Sequence, residues 1–278
     1  MSKILIVGAS GTVGTELVRQ LRSKGHTVLR STSKSTLESD QVHLNLQTKA
    51  GLDTAFVGID KAFFLSPPGY VNQNELLIPL IDEARKQSLK KVVLMTAMGA
   101  NAVDSTPFRQ AEIHLEKSGL SYNIIRPNWF MQNFNSFWLH GILHDTKVAL
   151  PVGDAKASFI DARDIASVAA VLLDDDVRFQ NQAFDLTGET AISHAQAASV
   201  ISNAIAKSIK FEDITPQAMR ETLLGAGLPA DYTEFLLMIL DYLKQGAAER
   251  VTDTVQTITG KAPIAFEAYA RDYRNAWV

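Results

Sequence analysis

Seven residues near the start of this chain constrain its fold more than any others. Lys3-Ile4-Leu5-Ile6-Val7 is a short, continuous apolar run, the pattern of a strand buried on both faces of a parallel sheet. It stops at Gly8-Ala9-Ser10-Gly11-Thr12-Val13-Gly14, after which Val13, Leu17, Val18 and Leu21 recur at helical spacing as far as Gly25. In that context the first glycine permits a tight turn and the second lets a pyrophosphate approach the backbone. The third lets the helix pack closely on the strand. The helix N-terminus adds N–H groups and a partial positive charge, and Ser10 and Thr12 add hydroxyls. A glycine triplet alone also fits a plain strand-to-helix turn; the strand before it and the helix after it favour a dinucleotide site.

The same alternation continues along the chain. Thr27-Val28-Leu29, Val42-His43-Leu44, Lys61 to Leu65, Lys91 to Met95 and Tyr122 to Ile125 read as strands. Asn74 to Gln87 and Phe108 to Lys117 read as helices, and Ser66-Pro67-Pro68-Gly69, Gly119 and Arg126-Pro127 are stops. Regular βαβ units predict an α/β fold, a Rossmann-type doubly wound parallel sheet with helices on both faces. Beyond about residue 135 the rhythm loosens. A helical stretch holds Phe134, Phe137, Trp138 and Leu139, and an Ala/Val-rich helix opens at Ala162. Ala183 to Leu186 adds a strand, and helices dominate from about residue 193. The expected organisation is an NAD(P)-binding core over residues 1–135, completed by 155–190. Residues 136–154 and 191–278 would form a smaller, mainly helical substrate lobe over the sheet's carboxyl edge, where open α/β sheets bind ligands.

Composition narrows the class. A net charge of −3 over 278 residues gives no basic surplus for nucleic acid or an anionic membrane. No apolar run reaches transmembrane length, and the N-terminal run is too short for a signal-peptide core. With no cysteine, disulfides, thiolate nucleophiles and Cys-ligated zinc are excluded, and a cytoplasmic setting is the default expectation. His140 and His144 share a helical face, but Gly141-Ile142-Leu143 lies between them without the glutamate of a metalloprotease, so no metal site is expected. Asp174-Asp175-Asp176 reads as a solvated turn. No Gly-x-Ser-x-Gly elbow exists, which removes an α/β-hydrolase.

The end of the second strand addresses the choice of dinucleotide. An NAD-selecting site places Asp or Glu there for the ribose 2′-hydroxyl. Here stand Arg30-Ser31-Thr32-Ser33-Lys34, and the first acidic residue is Glu38. Hydroxyls and cations attract a 2′-phosphate that a carboxylate would repel, so NADP(H) is expected rather than NAD. Ser31, Ser33 and Lys34 are the contacts, with Arg30 a further one; a merely solvated basic loop is the alternative.

These residues, together with later segments, resemble the NmrA-like group of atypical short-chain dehydrogenases/reductases, whose quinone, azo-dye and triphenylmethane-dye reductases are nearest. The resemblance runs through Gly8 to Gly14, Phe64 to Pro68, Val93 to Ala97, Glu112 to Leu120, Arg126 to Phe134 and Phe159 to Ala166. It implies that Asn45 and Leu46 border the adenine, and that Leu65, Ser66 and Pro67 border the adjoining ribose. It further implies that Thr96 and Ala97 lie near the nicotinamide, with Pro127, Asn128, Trp129 and Phe130 facing nicotinamide and substrate. The chain departs from the wider superfamily at the Tyr-x-x-x-Lys pair that exchanges a proton with substrate. None of its six tyrosines has lysine four residues on, and Thr106 and Gln110 stand at that place. Gln110 retains the capacity to hydrogen-bond a ribose hydroxyl.

Two functions follow. One is NADPH-dependent reduction of a small aromatic or quinone-like acceptor by direct hydride transfer, which needs placement more than a protein acid. Thr96, Asn128 and Gln110 would steer it, beside a pocket wall of Met98, Phe108, Asn128, Trp129, Phe130, Phe134 and Trp138. The aromatic residues fit core packing equally well. The other function is a non-catalytic NADP(H)-sensing regulator. An epimerase of nucleotide sugars is disfavoured without the tyrosine–lysine pair. The expected partner is a small molecule, with the protein a monomer or homodimer.

Overall fold

The computed structural model describes residues 1–175 and 177–278, so of the acidic run Asp176 lies outside the described residues. In chain order the elements are β1 (Lys3–Ile6), α1 (Thr12–Ser23), β2 (Thr27–Thr32), β3 (Gln41–His43), α2 (Leu52–Ala55) and β4 (Lys61–Leu65). Then come α3 (Gln73–Lys86), β5 (Lys91–Met95), α4 (Pro107–Glu116), β6 (Tyr122–Pro127), α5 (Leu139–His144), β7 (Lys147–Leu150) and β8 (Lys156–Ala157). The chain ends with α6 (Ala162–Asp174), β9 (Gln182–Leu186), β10 (Ile192–Ser193), α7 (His194–Ile205), β11 (Lys210–Asp213), α8 (Pro216–Gly225), α9 (Ala230–Lys244), α10 (Thr254–Thr259) and α11 (Phe266–Tyr273).

Two compact units result, residues 1–127 with 162–185, and residues 128–161 with 186–278. The first carries a sheet in the order β3-β2-β1-β4-β5-β6-β9, and β1 pairs in parallel with both β2 and β4. The strand order reverses beside β1, so the glycine turn at its carboxyl end stands at the topological switch point where such sheets bind ligands. Side chains alternate between the two faces. Leu5, Val7, Ala62, Phe64, Val92, Leu94 and Ile124 pack with Leu77, Leu80 and Ile81 of α3 and with Ala111 and Leu115 of α4. Ile4, Ile6, Phe63, Val93 and Ile125 alternate with them and are fully buried. Each such side chain contributes about 1.5–3 kcal/mol of transfer free energy.

A set of cations explains why residues 162–185 belong with this sheet. Lys61 and Lys91 open two central strands yet are buried, and their ammonium groups donate to the carbonyls of Leu173 and Asp175 at 2.7 and 2.5 Å. Lys24 pairs with Asp174 at 2.9 Å. Three cations thus gather at the carboxyl end of α6, where a helix presents partial negative charge. Midway along α6, Gln20 of α1 donates to the Ser167 hydroxyl at 3.0 Å.

The second unit has its own apolar core. Phe134, Phe159, Phe266, Tyr269 and Trp277 are buried together, and the Trp277 indole N–H donates to the Phe134 carbonyl at 2.9 Å. Beside the expected helices it holds a parallel β7–β11 pair and an antiparallel β8–β10 pair. The expected single helical stretch around Phe134 is instead a 3-10 turn over Met131–Asn135 followed by the short α5. Two strands also run further than their sequence pattern shows. β2 continues through Thr32, which places Arg30 and Ser31 inside the sheet, and β6 continues through Arg126 and Pro127.

Candidate functional site

The glycine turn separates into structural and permissive positions. Gly8 adopts φ +77°, and a Cβ there would fall 2.7 Å from Leu65 Cδ1. A Cβ on Gly14 would fall 2.1 Å from the Gly8 carbonyl oxygen. Both glycines are dictated by backbone conformation and by close packing. Gly11 differs: its φ of −81° suits any residue, it is exposed, and a Cβ there would lie 3.3 Å from Gly8 O. Conformation therefore does not require glycine at position 11, and the tight contact with Gly8 O asks for a shift of only a few tenths of an ångström, far less than at position 14. Gly11 is also the N-cap of α1 and supplies no side-chain cap, while Ser10 and Thr12 beside it are exposed. An uncapped helix N-terminus with a bare Cα at its mouth is a cradle for phosphate. Val13 is buried in the core, so only its backbone faces this cradle. The residues present fit a dinucleotide pyrophosphate.

Around this turn the parallel strands deliver their carboxyl ends. Ser31 lies on β2 one residue past Arg30, which is in register with Ile6 of β1. Ser33 and Lys34 follow in an exposed loop, the Lys34 N–H donating to Thr32 Oγ1 at 3.2 Å. Arg30 is not the open cation expected there. Its Nε and Nη2 grip Asp40 at 2.7 and 2.6 Å, and Nη2 also reaches Glu38. Arg22 pairs with Asp40 as well. The Arg30 hydrogen bonds hold the Asp40 carboxyl down to about 2. The same pairing, with Asp40 first and Glu38 next, raises the Arg30 guanidinium further above its already high range.

After β3, the Asn45 side-chain oxygen accepts from the N–H groups of Gln47 and Thr48, both at 3.0 Å, making an Asx turn. Leu46 packs on the sheet core. Leu65 ends β4 against Gly8; Ser66 and Pro67 follow, half-buried, with the Ser66 hydroxyl donating to Pro67 O at 3.3 Å. Past β5, the Ala97 carbonyl accepts from Ala100 N–H, and Met98 N–H donates to Pro127 O, each at 3.0 Å.

Three residues expected to steer chemistry are engaged elsewhere. The Thr96 hydroxyl donates to Glu112 Oε1 at 2.6 Å, and Glu112 is fully buried. Arg126 binds the same carboxylate through Nε and Nη2 at 2.8 and 2.7 Å, and Arg109 adds Nη1 at 3.0 Å. Thr96 therefore belongs to a buried ionic cluster and is not a free substrate-orienting hydroxyl. The Asn128 amide donates to Ser158 Oγ at 2.6 Å and to Ala248 O at 2.8 Å, while its oxygen accepts from Trp129 N–H at 2.9 Å. Asn128 is a buried knot joining three segments of the second unit. Gln110 is exposed at the surface of α4, its oxygen accepting from Asn74 of α3 at 2.7 Å. A sequence signal for the cluster did exist. Glu112 shares the buried face of α4 with Ala111 and Leu115, and Arg126 sits in the apolar strand β6. Opposite charges at two core positions point to a mutual pair.

The aromatic residues divide. Phe134 is pure core, packed edge-on against Phe159 at 5.4 Å and Phe266 at 5.3 Å, and Phe108 packs on the sheet core of the first unit. Trp129 and Phe130 remain half-buried. Trp129 stacks on Trp138 with centroids 6.3 Å apart, and Trp138 rests edge-on against Phe134 at 4.6 Å. His140 and His144 lie exposed on α5 with ring centroids 4.5 Å apart. Among the described residues no group of three or more metal-binding side chains exists, and no helix is long and apolar enough to cross a membrane.

A doubly wound sheet with a phosphate cradle at its switch point defines the Rossmann-type NAD(P)-binding fold. The chain belongs to the NmrA-like family, whose pattern matches residues 1–269. It is 30% identical over 277 residues to the uncharacterised oxidoreductase YesF of Bacillus subtilis, covering 99% of this chain and 96% of that protein. It is 28% identical over 287 residues to the NAD(P)H azoreductase of Xenophilus azovorans, covering 99% of each. Its fold superposes with a TM-score of 0.81 on a Citrobacter triphenylmethane reductase solved with NADP(H), at 18% identity over 98% of this chain and 99% of that one.

Proposed function

We propose that this protein is an NADPH-dependent reductase of a small aromatic or quinone-like acceptor, working by direct hydride transfer. The observation that carries the reading is Gly11, an exposed glycine whose backbone conformation does not require glycine, at the uncapped start of α1. Full-length similarity to an NAD(P)H azoreductase supports the acceptor class. When bound, NADPH supplies a hydride at its nicotinamide. The chain's own part is to bind and to orient. Backbone N–H groups at Thr12 and Val13 meet the pyrophosphate, and Ser10 adds a hydroxyl. Ser31, Ser33, Lys34 and an edge of Arg30 serve the 2′-phosphate. Asn45, Leu46, Leu65, Ser66, Pro67, Ala97 and Pro127 border the rest of the cofactor, and Trp129, Phe130 and Met98 offer apolar surface to the acceptor.

The engagement of Thr96, Asn128 and Gln110 bears on the chemistry. With these groups tied to protein partners, an acceptor that needs no protein acid suits the chain best. Electron-poor quinones, azo compounds and cationic dyes meet that condition. The same observation favours a second reading, a protein that binds NADP(H) and reports redox state without turnover. Following the loss of NADPH absorbance with a panel of quinones and dyes separates the two. Consumption of NADPH with at least one acceptor is expected; tight NADPH binding with no consumption by any would establish the sensor. Trp129→Ala is expected to raise KM for that acceptor about fivefold to tenfold with little change in kcat, the worth of one aromatic contact. An unchanged KM would remove Trp129 from the acceptor site.

A further inference from the structure

The carboxylates around Arg30 have a consequence for cofactor choice. Arg30 N–H donates to the Asp40 carbonyl at 2.8 Å, a ladder bond fixed by the β2–β3 register that pairs Arg30 with Gln41. That register brings the Asp40 side chain alongside the guanidinium, where it takes one whole edge as a bidentate partner. Asp40 is therefore an anchor, with only 27% of its side chain exposed. Glu38 is different. It lies two residues earlier, 70% exposed, and reaches Arg30 only through Nη2. Asp40 takes Nε and one N–H of Nη2, and Glu38 shares Nη2, on the side of the guanidinium where a second anion would bind.

We infer that Glu38 is a built-in competitor for the 2′-phosphate of NADPH, holding the Nη2 of Arg30 that this phosphate would take, and so limits the preference for NADPH over NADH. The inference rests on the dinucleotide reading of the glycine turn. A phosphomonoester carries more charge and more acceptor oxygens than one carboxylate, so it displaces an exposed Glu38 while Asp40 keeps the guanidinium in place. NADH has nothing to displace Glu38 with. The carboxylate thus lowers NADPH affinity and leaves NADH affinity unaltered, which narrows the discrimination between them.

Dissociation constants of NADPH and NADH, read from quenching of intrinsic fluorescence, test this on wild type, Glu38→Gln, Arg30→Ala and the double variant. Glu38→Gln is expected to bind NADPH about threefold to tenfold tighter, with NADH unchanged, and the gain should shrink as ionic strength rises. In the Arg30→Ala background the Glu38 substitution should have no further effect. An unchanged NADPH-to-NADH ratio in Glu38→Gln, or an equal gain for both, would overturn the inference alone. Wild-type protein that bound neither dinucleotide would overturn the reading of the site together with it.

Discussion

Arg126→Ala is expected to lower stability by about 3–5 kcal/mol, the cost of leaving a buried carboxylate without its bidentate partner. Glu112 has no exposed surface, and Arg126 supplies two of the four hydrogen bonds it accepts among the described residues, at 2.8 and 2.7 Å. Removing the guanidinium leaves the Thr96 hydroxyl and one Arg109 N–H to solvate that charge. A urea titration should show the midpoint falling with the slope unchanged. Arg126→Met, which keeps the side-chain bulk, should cost nearly as much, because the charge on Glu112 is the source of the penalty. The double variant Glu112→Met/Arg126→Met should recover most of the loss, since a pair replaced by apolar groups of similar volume is often neutral or better. A single variant as stable as wild type would show that this pair does not hold the ends of β5, α4 and β6 together.

His194 gives the second large effect, and it depends on pH. The ring is fully buried among Trp138 at 5.1 Å, Phe159 at 5.2 Å, Phe211 at 5.9 Å and Phe134 at 6.1 Å, and both nitrogens are without a hydrogen-bond partner among the described residues. Burial pushes its pKa down from 6.5 to about 4. The folded state thus refuses a proton that the unfolded chain accepts. Its contribution is whole above pH 6.5, declines as pH falls, and is exhausted below about 4. Integrated over that window the loss is about 3 kcal/mol. His194→Phe should therefore match or exceed wild type at neutral pH and lack this part of the acid slope. Parallel acid slopes for the two proteins between pH 6.5 and 4 would contradict the account.

The strands and the turn were legible because their information is local. Lys61–Leu65 and Lys91–Met95 have in the structure the bounds their apolar runs suggest; Gly8 and Gly11 lie between strand and helix, and Gly14 stands in the first turn of α1. Local pattern says less where a residue's partner is remote. Thr96 meets a carboxylate 16 residues away, and Asn128 meets a hydroxyl 30 and a carbonyl 120 residues away. A polar residue at a strand end looks identical in sequence whether it faces substrate or a distant partner. His194 shows the same limit, because its cage is drawn from three separated segments and no local pattern marks it. Arg30 lies inside the strand for a different reason. β2 lacks a stop signal after Leu29, and three polar residues carry it on to Thr32 because β3 lies alongside to complete the ladder.

The central claim, that the turn at Gly11 receives the cofactor, is tested most directly by the NADPH affinity of Gly11→Ala beside its thermal stability. The added methyl would lie 3.3 Å from Gly8 O, a tight contact that a few tenths of an ångström of movement relieves, at a backbone conformation open to any residue, so its cost to the fold should be small. Gly14→Ala, 2.1 Å from the same oxygen, is the contrasting variant that damages the turn itself. The account predicts that Gly11→Ala melts within about 2 °C of wild type. It also predicts NADPH binding weakened by roughly tenfold or more, about 1.4 kcal/mol at the least. A Gly11→Ala protein that melts normally and binds NADPH as tightly as wild type would contradict it.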